Sequence, residues 1–103
     1  MESEARLVMI DGGLPEPVLQ YELVDHDGRC WRVDFAWPEY GVVVEYDGFD
    51  WHSSPAHLRR DRQKRAALQE LGLTLISIVA DDVRCRPGEL VRRIGVQLDR
   101  AAA

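Results

Sequence analysis

The chain has 103 residues, 46% of them hydrophobic and 30% charged, and a net charge of −5 at pH 7. These figures describe one globular domain, residues 1–103, with a modest core, and they argue against a polybasic chain that coats nucleic acid indiscriminately. No apolar run approaches membrane-spanning length and the N-terminus lacks a signal-peptide pattern, so the expected location is the cytoplasm.

Residues 2–11 read as a short helix capped by Ser3 and ended by Gly12 and Gly13. Residues 18–24 alternate as a strand, and the turn at residues 25–28 ends in Asp27-Gly28, a strong hairpin signal. Two further strands follow at 29–37 and 42–47, separated by Pro38-Glu39-Tyr40-Gly41. After a loop, residues 56–71 form a helix with Pro55 near its start and Gly72 beyond its end. Residues 73–80 are almost continuously apolar, as in a central strand buried on both faces and joined by a parallel crossover. A loop at 81–88 leads to a last amphipathic helix, 89–98, with Leu90, Val91, Ile94 and Leu98 inward. The order αβββαβα gives an α/β architecture: a mixed sheet containing an antiparallel meander, with flanking helices. Cys30 and Cys85 are far apart and outside any CxxC spacing, so both read as reduced thiols rather than as zinc ligands or a disulfide framework.

The hairpin around residues 38–41 carries the chemistry. With those four residues as the loop, Trp37 pairs with Val42, Asp34 faces Glu45, and Arg32 faces Asp47. Alternation then gathers Asp34, Glu45 and Asp47 on one face and Val33, Phe35, Trp37, Val42, Val44 and Tyr46 on the other. Facing acids on adjacent strands repel, and a divalent metal with oxygen ligands is the simplest partner that makes such a cluster tolerable. Arg32 neutralising Asp47 is the alternative for that residue.

Charge is divided unevenly. Residues 1–50 carry 12 acids and three bases, and residues 51–103 carry six acids and ten bases. Much of the basic excess lies on the second helix, in Arg59, Arg60, Arg62, Lys64 and Arg65. A run of this kind can be a solvated helix face, or it can hold a phosphate backbone beside a metal site.

In order and spacing the chain resembles the PD-(D/E)XK nuclease superfamily, in particular the very-short-patch-repair (Vsr-like) endonucleases and related bacterial domains. The residues that carry the likeness are Glu4 on the first helix, Asp34-Phe35, Glu39-Tyr40, Glu45-Tyr46-Asp47-Gly48 and Trp51-His52. Asp61-Arg62 and Leu68-Gln69-Glu70-Leu71-Gly72, followed by the apolar strand, complete it. The resemblance implies a restriction-endonuclease-like core and metal-dependent hydrolysis of DNA, in repair or restriction. It implies Asp34 as metal ligand, position 45 or 46 as the next ligand, His52 as catalytic histidine, and Glu4 as a supporting residue. Two features depart from the pattern. Asp47 stands where the superfamily has its lysine, and the short segment after His52 leaves no place for the structural zinc of the repair enzymes.

Together these readings give Mg²⁺, with Mn²⁺ as substitute, held by Asp34, Glu45 and Asp47. His52 is the candidate base, since its ordinary pKa of about 6.5 suits neutral pH. Arg59, Arg62, Lys64 and Arg65 are the candidate contacts to nucleic acid, with Lys64 a further source of charge from the helix. Trp31, Trp37 and Trp51 read as core residues and His57 as a surface residue. A homodimer or a specificity-giving partner fits a domain this short. The alternatives are a binding module that kept the fold without cutting, and a small interaction protein with neither DNA nor metal affinity.

Overall fold

Helix α1 (Glu2–Asp11) breaks at a glycine pair, of which Gly13 takes φ 87, a conformation open to glycine without strain. The helix already includes Glu2, so Ser3 lies within its first turn rather than at its cap. The computed structural model describes residues 2–47 and 54–103. Strands β1 (Val18–Val24) and β2 (Cys30–Trp37) pair antiparallel. Asp25 closes their turn: its Oδ1 accepts the N–H groups of Asp27 and Arg29, each at 2.9 Å, and its Oδ2 accepts Trp31 Nε1–H at 2.8 Å.

A single 3-10 turn (Pro38–Tyr40), released by Gly41 at φ 66, reverses the chain into β3 (Val42–Tyr46). Helix α2 (Pro55–Glu70) starts at Ser54, whose side-chain oxygen accepts the N–H of His57 at 3.2 Å. Strand β4 (Thr74–Ile78) returns parallel to β3. Residues expected to be loop instead form the short helix α3 (Ala80–Arg84), begun where Asp82 Oδ2 takes the N–H of Val79 at 2.9 Å. Helix α4 (Pro87–Ala102) follows and runs longer at both ends than its apolar pattern suggests. The observed order is therefore αβββαβαα, one short helix more than the sequence predicts.

The sheet is mixed, in the order β1-β2-β3-β4. Strand β4 lies at its edge, which corrects the expectation of a central strand. Its apolar run reports two covered faces: Ile76 and Ile78 face the α4 side, while Leu75 faces the α2 side. An unpaired flank leaves no mark on that pattern.

The two faces are unequal. On one, Phe35, Trp37, Val42, Val44, Ile76 and Ile78 meet Met9 of α1, Val83 of α3 and Leu90, Ile94 and Leu98 of α4. On the other, α2 contributes Leu68 to a smaller cluster with Val33, Ala36 and Val43. Trp31 and Trp37 are buried, as expected of core residues, and Trp37 Nε1–H is satisfied by the carbonyl of Pro15 at 2.8 Å.

Val33 joins the α2 side although Phe35 faces the other helices, contrary to simple alternation. The pairing of β1 with β2 keeps one register on both sides of this point, with Leu19 opposite Phe35 and Tyr21 opposite Val33. Between those pairs, Gln20 takes φ 49, which is costly for a residue with a Cβ. The pleat changes face there, opposite Asp34, without a slip in register.

Two outcomes follow. Leu68 is fully buried, and Leu68→Ala is expected to cost about 2–5 kcal/mol in urea unfolding. The Trp31 indole N–H and the turn N–H groups hold the Asp25 carboxyl below its ordinary 3.8, so its stabilisation is present above that value and lost as pH falls through the lower folded value. Asp25→Ala is accordingly expected to melt below wild type at pH 7, with the gap closing in thermal scans taken progressively below pH 3.8.

Candidate functional site

Strands β2 and β3 part at an acid. Their ladder runs through Trp37 with Val42, Ala36 with Val43 and Phe35 with Val44, the register expected from the four-residue loop, and then stops. At the next position Asp34 turns its side chain into the gap, where Oδ2 accepts the N–H of Tyr46 at 2.7 Å. A carboxylate thus replaces a main-chain carbonyl as acceptor, and the strands splay around it. Glu45 remains in register with β4, opposite Ser77. Asp34, Glu45 and Ser77 therefore form a polar row across three strands.

Helix α2 sets two cations over this row. Ala67 and Leu68 fasten its C-terminal half to the sheet, and Lys64 stands one turn before Leu68 on the same stripe. Its ammonium pairs with Glu45 Oε1 and donates to the carbonyl of Arg32 at 2.6 Å. Both partners are largely enclosed, with side chains 15% and 22% exposed. Burial pushes the Lys64 pKa below the ordinary lysine value; the Asp34 carboxylate opposes that fall and the Arg32 guanidinium adds to it. The next residue, Arg65, reaches Ser77 Oγ at 3.3 Å.

Crowded acids need a positive partner, and among the described residues Lys64 pairs with Glu45. Asp47 does not complete a three-carboxylate cage with Asp34 and Glu45. It follows the end of β3, gives its N–H to Ile78 O at 2.8 Å, and lines a cleft with Arg65 and Ser77. Among the described residues no three His, Cys, Asp or Glu side chains come together as a metal-holding group. The donor set still suits a sparsely liganded hard cation. Asp34 Oδ1 and Glu45 Oε2 accept no hydrogen bond from another described residue, and Mg²⁺ is often bound through one or two carboxylates while keeping its waters.

The other candidates disperse. Glu4 is exposed on α1, in the helical layer across the sheet from α2, with Arg84 Nε 3.7 Å from its Oε2. Arg59 is exposed near the start of α2 and donates to Pro55 O at 3.4 Å; Arg62 is exposed on the same helix. His57 is exposed, as expected. Trp51 and His52 lie outside the described residues.

Sequence reasoning missed Ser77, the β4 partner of Glu45, and Arg92 and Arg93, which line the cleft with Asp47 and Arg65. Ser77 is the one strongly polar residue inside the buried stretch of β4, a visible signal whose meaning depends on its register with Glu45. Arg92 and Arg93 carry no local sign, being ordinary polar positions of an amphipathic helix.

No family model matches the chain. It is similar to two uncharacterized proteins of Mycobacterium tuberculosis, one from strain CDC 1551 / Oshkosh and one from strain H37Rv. Each is 57% identical over 101 residues, which is 98% of this chain and 37% of the relative. The chain thus spans little more than a third of the length of these relatives. No solved structure matches.

Replacing Lys64 by Met removes the cation that pairs with Glu45 and leaves that partly enclosed carboxylate uncompensated. Lys64→Met is expected to cost about 1–3 kcal/mol in urea titrations at low salt, and less at high salt, where screening weakens the charges. An equal cost at both salt concentrations would refute the ionic coupling.

Proposed function

We propose that this chain is a metal-dependent endonuclease domain of the PD-(D/E)XK kind, hydrolysing DNA phosphodiester bonds at a site built on Asp34, Glu45 and Lys64. The observation that carries the reading is the ion pair of Lys64 with Glu45, beside a strand gap held by Asp34. The resembled superfamily combines two acids with a lysine two residues after the second. Asp47 occupies that position here, and α2 brings an ammonium to the same acid from a different element.

The geometry supports the following roles. Asp34 is oriented by the Tyr46 N–H and Glu45 by Lys64, so both carboxylates are held before any ligand arrives. Asp34 and Glu45 would hold Mg²⁺ or Mn²⁺, which would supply Lewis-acid chemistry for phosphodiester hydrolysis. Lys64 has three N–H donors, two of them engaged by Glu45 and the Arg32 carbonyl, which leaves one for a phosphate oxygen or a water. Arg65, anchored over Ser77, lies beside the same row and can hold an adjoining phosphate, with Arg59 and Arg62 along the exposed helix. His52 is the candidate base.

A second reading rests on the same ion pair. Glu45 and Lys64 satisfy each other without a metal, as they would in a module that binds nucleic acid and does not cut it.

Plasmid nicking separates the two. Wild type is expected to relax supercoiled DNA with Mg²⁺ or Mn²⁺, and Asp34→Asn and Lys64→Met are each expected to lower the rate by about 100-fold or more. Cleavage that survives EDTA or Asp34→Asn contradicts a metal-dependent site on Asp34. DNA binding without nicking by wild type favours the binding module.

A further inference from the structure

The edge of β4, unpaired among the described residues, opens into a cleft of about 570 Å³. Arg65 comes to it from α2 on one face of the sheet, and Arg92 and Arg93 come from α4 on the other. Two of these guanidiniums meet at one residue: Arg65 Nη2 lies 3.3 Å from Ser77 Oγ, and Arg93 Nη2 lies 3.5 Å from Ser77 O. We infer that this cleft seats the backbone phosphates of the DNA strand next to the scissile bond, so that α4 is part of the nucleic-acid interface. The inference rests on the nuclease reading and extends it to a surface outside the carboxylate site.

Three observations support it. First, the position is contiguous with the site, because Ser77 is the β4 partner of Glu45, one strand over, roughly 4.8 Å away. Second, the charge balance is positive. Three arginines line the cleft against one acid, Asp47, and among the described residues Arg65 has no carboxylate within ion-pair distance. Arg92 is paired with Glu89, but both side chains are at least half exposed, and a pair of that kind yields readily to a phosphate. Arg93 stands 3.9 Å from Asp82 Oδ1 and keeps further donors. Third, the edge is poorly suited to an added peptide strand. Arg93 already occupies the Ser77 carbonyl, and charged side chains over an edge discourage strand pairing. Planar guanidiniums converging from two layers match the several oxygens of a phosphodiester.

The test is fluorescence anisotropy of a labelled duplex DNA oligonucleotide with the full chain, in EDTA so that nothing is cut, across a range of salt concentrations. Arg92→Ala with Arg93→Ala is expected to weaken binding about 10-fold and to reduce the salt slope by about 1–2. Arg92→Glu, a change at a side chain 61% exposed, checked for folding by circular dichroism, is expected to weaken binding as well. Wild-type binding with neither variant altered in affinity or slope overturns this inference and leaves the nuclease reading standing. Failure of wild type to bind DNA overturns both. Binding of an acidic peptide that the double variant loses, with DNA binding unchanged, also overturns it and assigns the edge to a peptide.

Discussion

The ammonium of Lys64 sits where two strands part. Asp34 holds the gap open by taking the Tyr46 N–H, and Glu45 stands on the far side of it. Without a cation between them, two carboxylates in a partly enclosed space would push the strands apart or take up protons. Lys64 reaches them only because Leu68, one turn later, fixes α2 to the small core beneath it. The ion pair, the strand gap and the helix position are thus one arrangement, and each part depends on the others.

The unequal faces of the sheet make room for it. The α1, α3 and α4 side holds most of the apolar volume, including Phe35, Met9, Ile78, Leu90 and Ile94. The α2 side has few apolar contacts, so the sheet can show Asp34, Glu45 and Ser77 there without losing its main core. The same asymmetry accounts for α2 itself: its first half is exposed and basic, and only its last turns carry buried residues. A helix fastened at one end can hold cations over a polar row. The unpaired flank of β4 extends that row to the arginines of α4.

Much of this was legible in the sequence. The four-residue break between β2 and β3 predicts the pairing of Trp37 with Val42 and Phe35 with Val44, and hence that Asp34 and Glu45 follow at the end of that ladder. The limits of α2 follow from Pro55 and Gly72, while the Ser54 cap appears only in the structure. Other features were not legible, for physical reasons. The change of face at Val33 comes from one residue, Gln20, in a conformation that its type does not announce. The edge position of β4 is hidden because apolar patterning records covered faces and not hydrogen-bonded flanks. Helix α3 is five residues long and begins with a side-chain bond from Asp82, too local for periodicity to register. Lys64 is one of five bases in a short run, and nothing nearby distinguishes it; its role appears only when the helix is laid on the sheet. Asp47 was expected with the other two acids, but the end of β3 carries it toward the cleft at β4.

The proposed function requires Asp34 and Glu45 to act as one ion-holding pair next to Lys64. Calorimetric titration with Mn²⁺ in the absence of DNA measures that directly. Wild type is expected to take up Mn²⁺ at a single site, and Asp34→Ala and Glu45→Ala are each expected to abolish the heat of binding while remaining folded by circular dichroism. Equal Mn²⁺ uptake by wild type and both variants, or none by wild type, would contradict it.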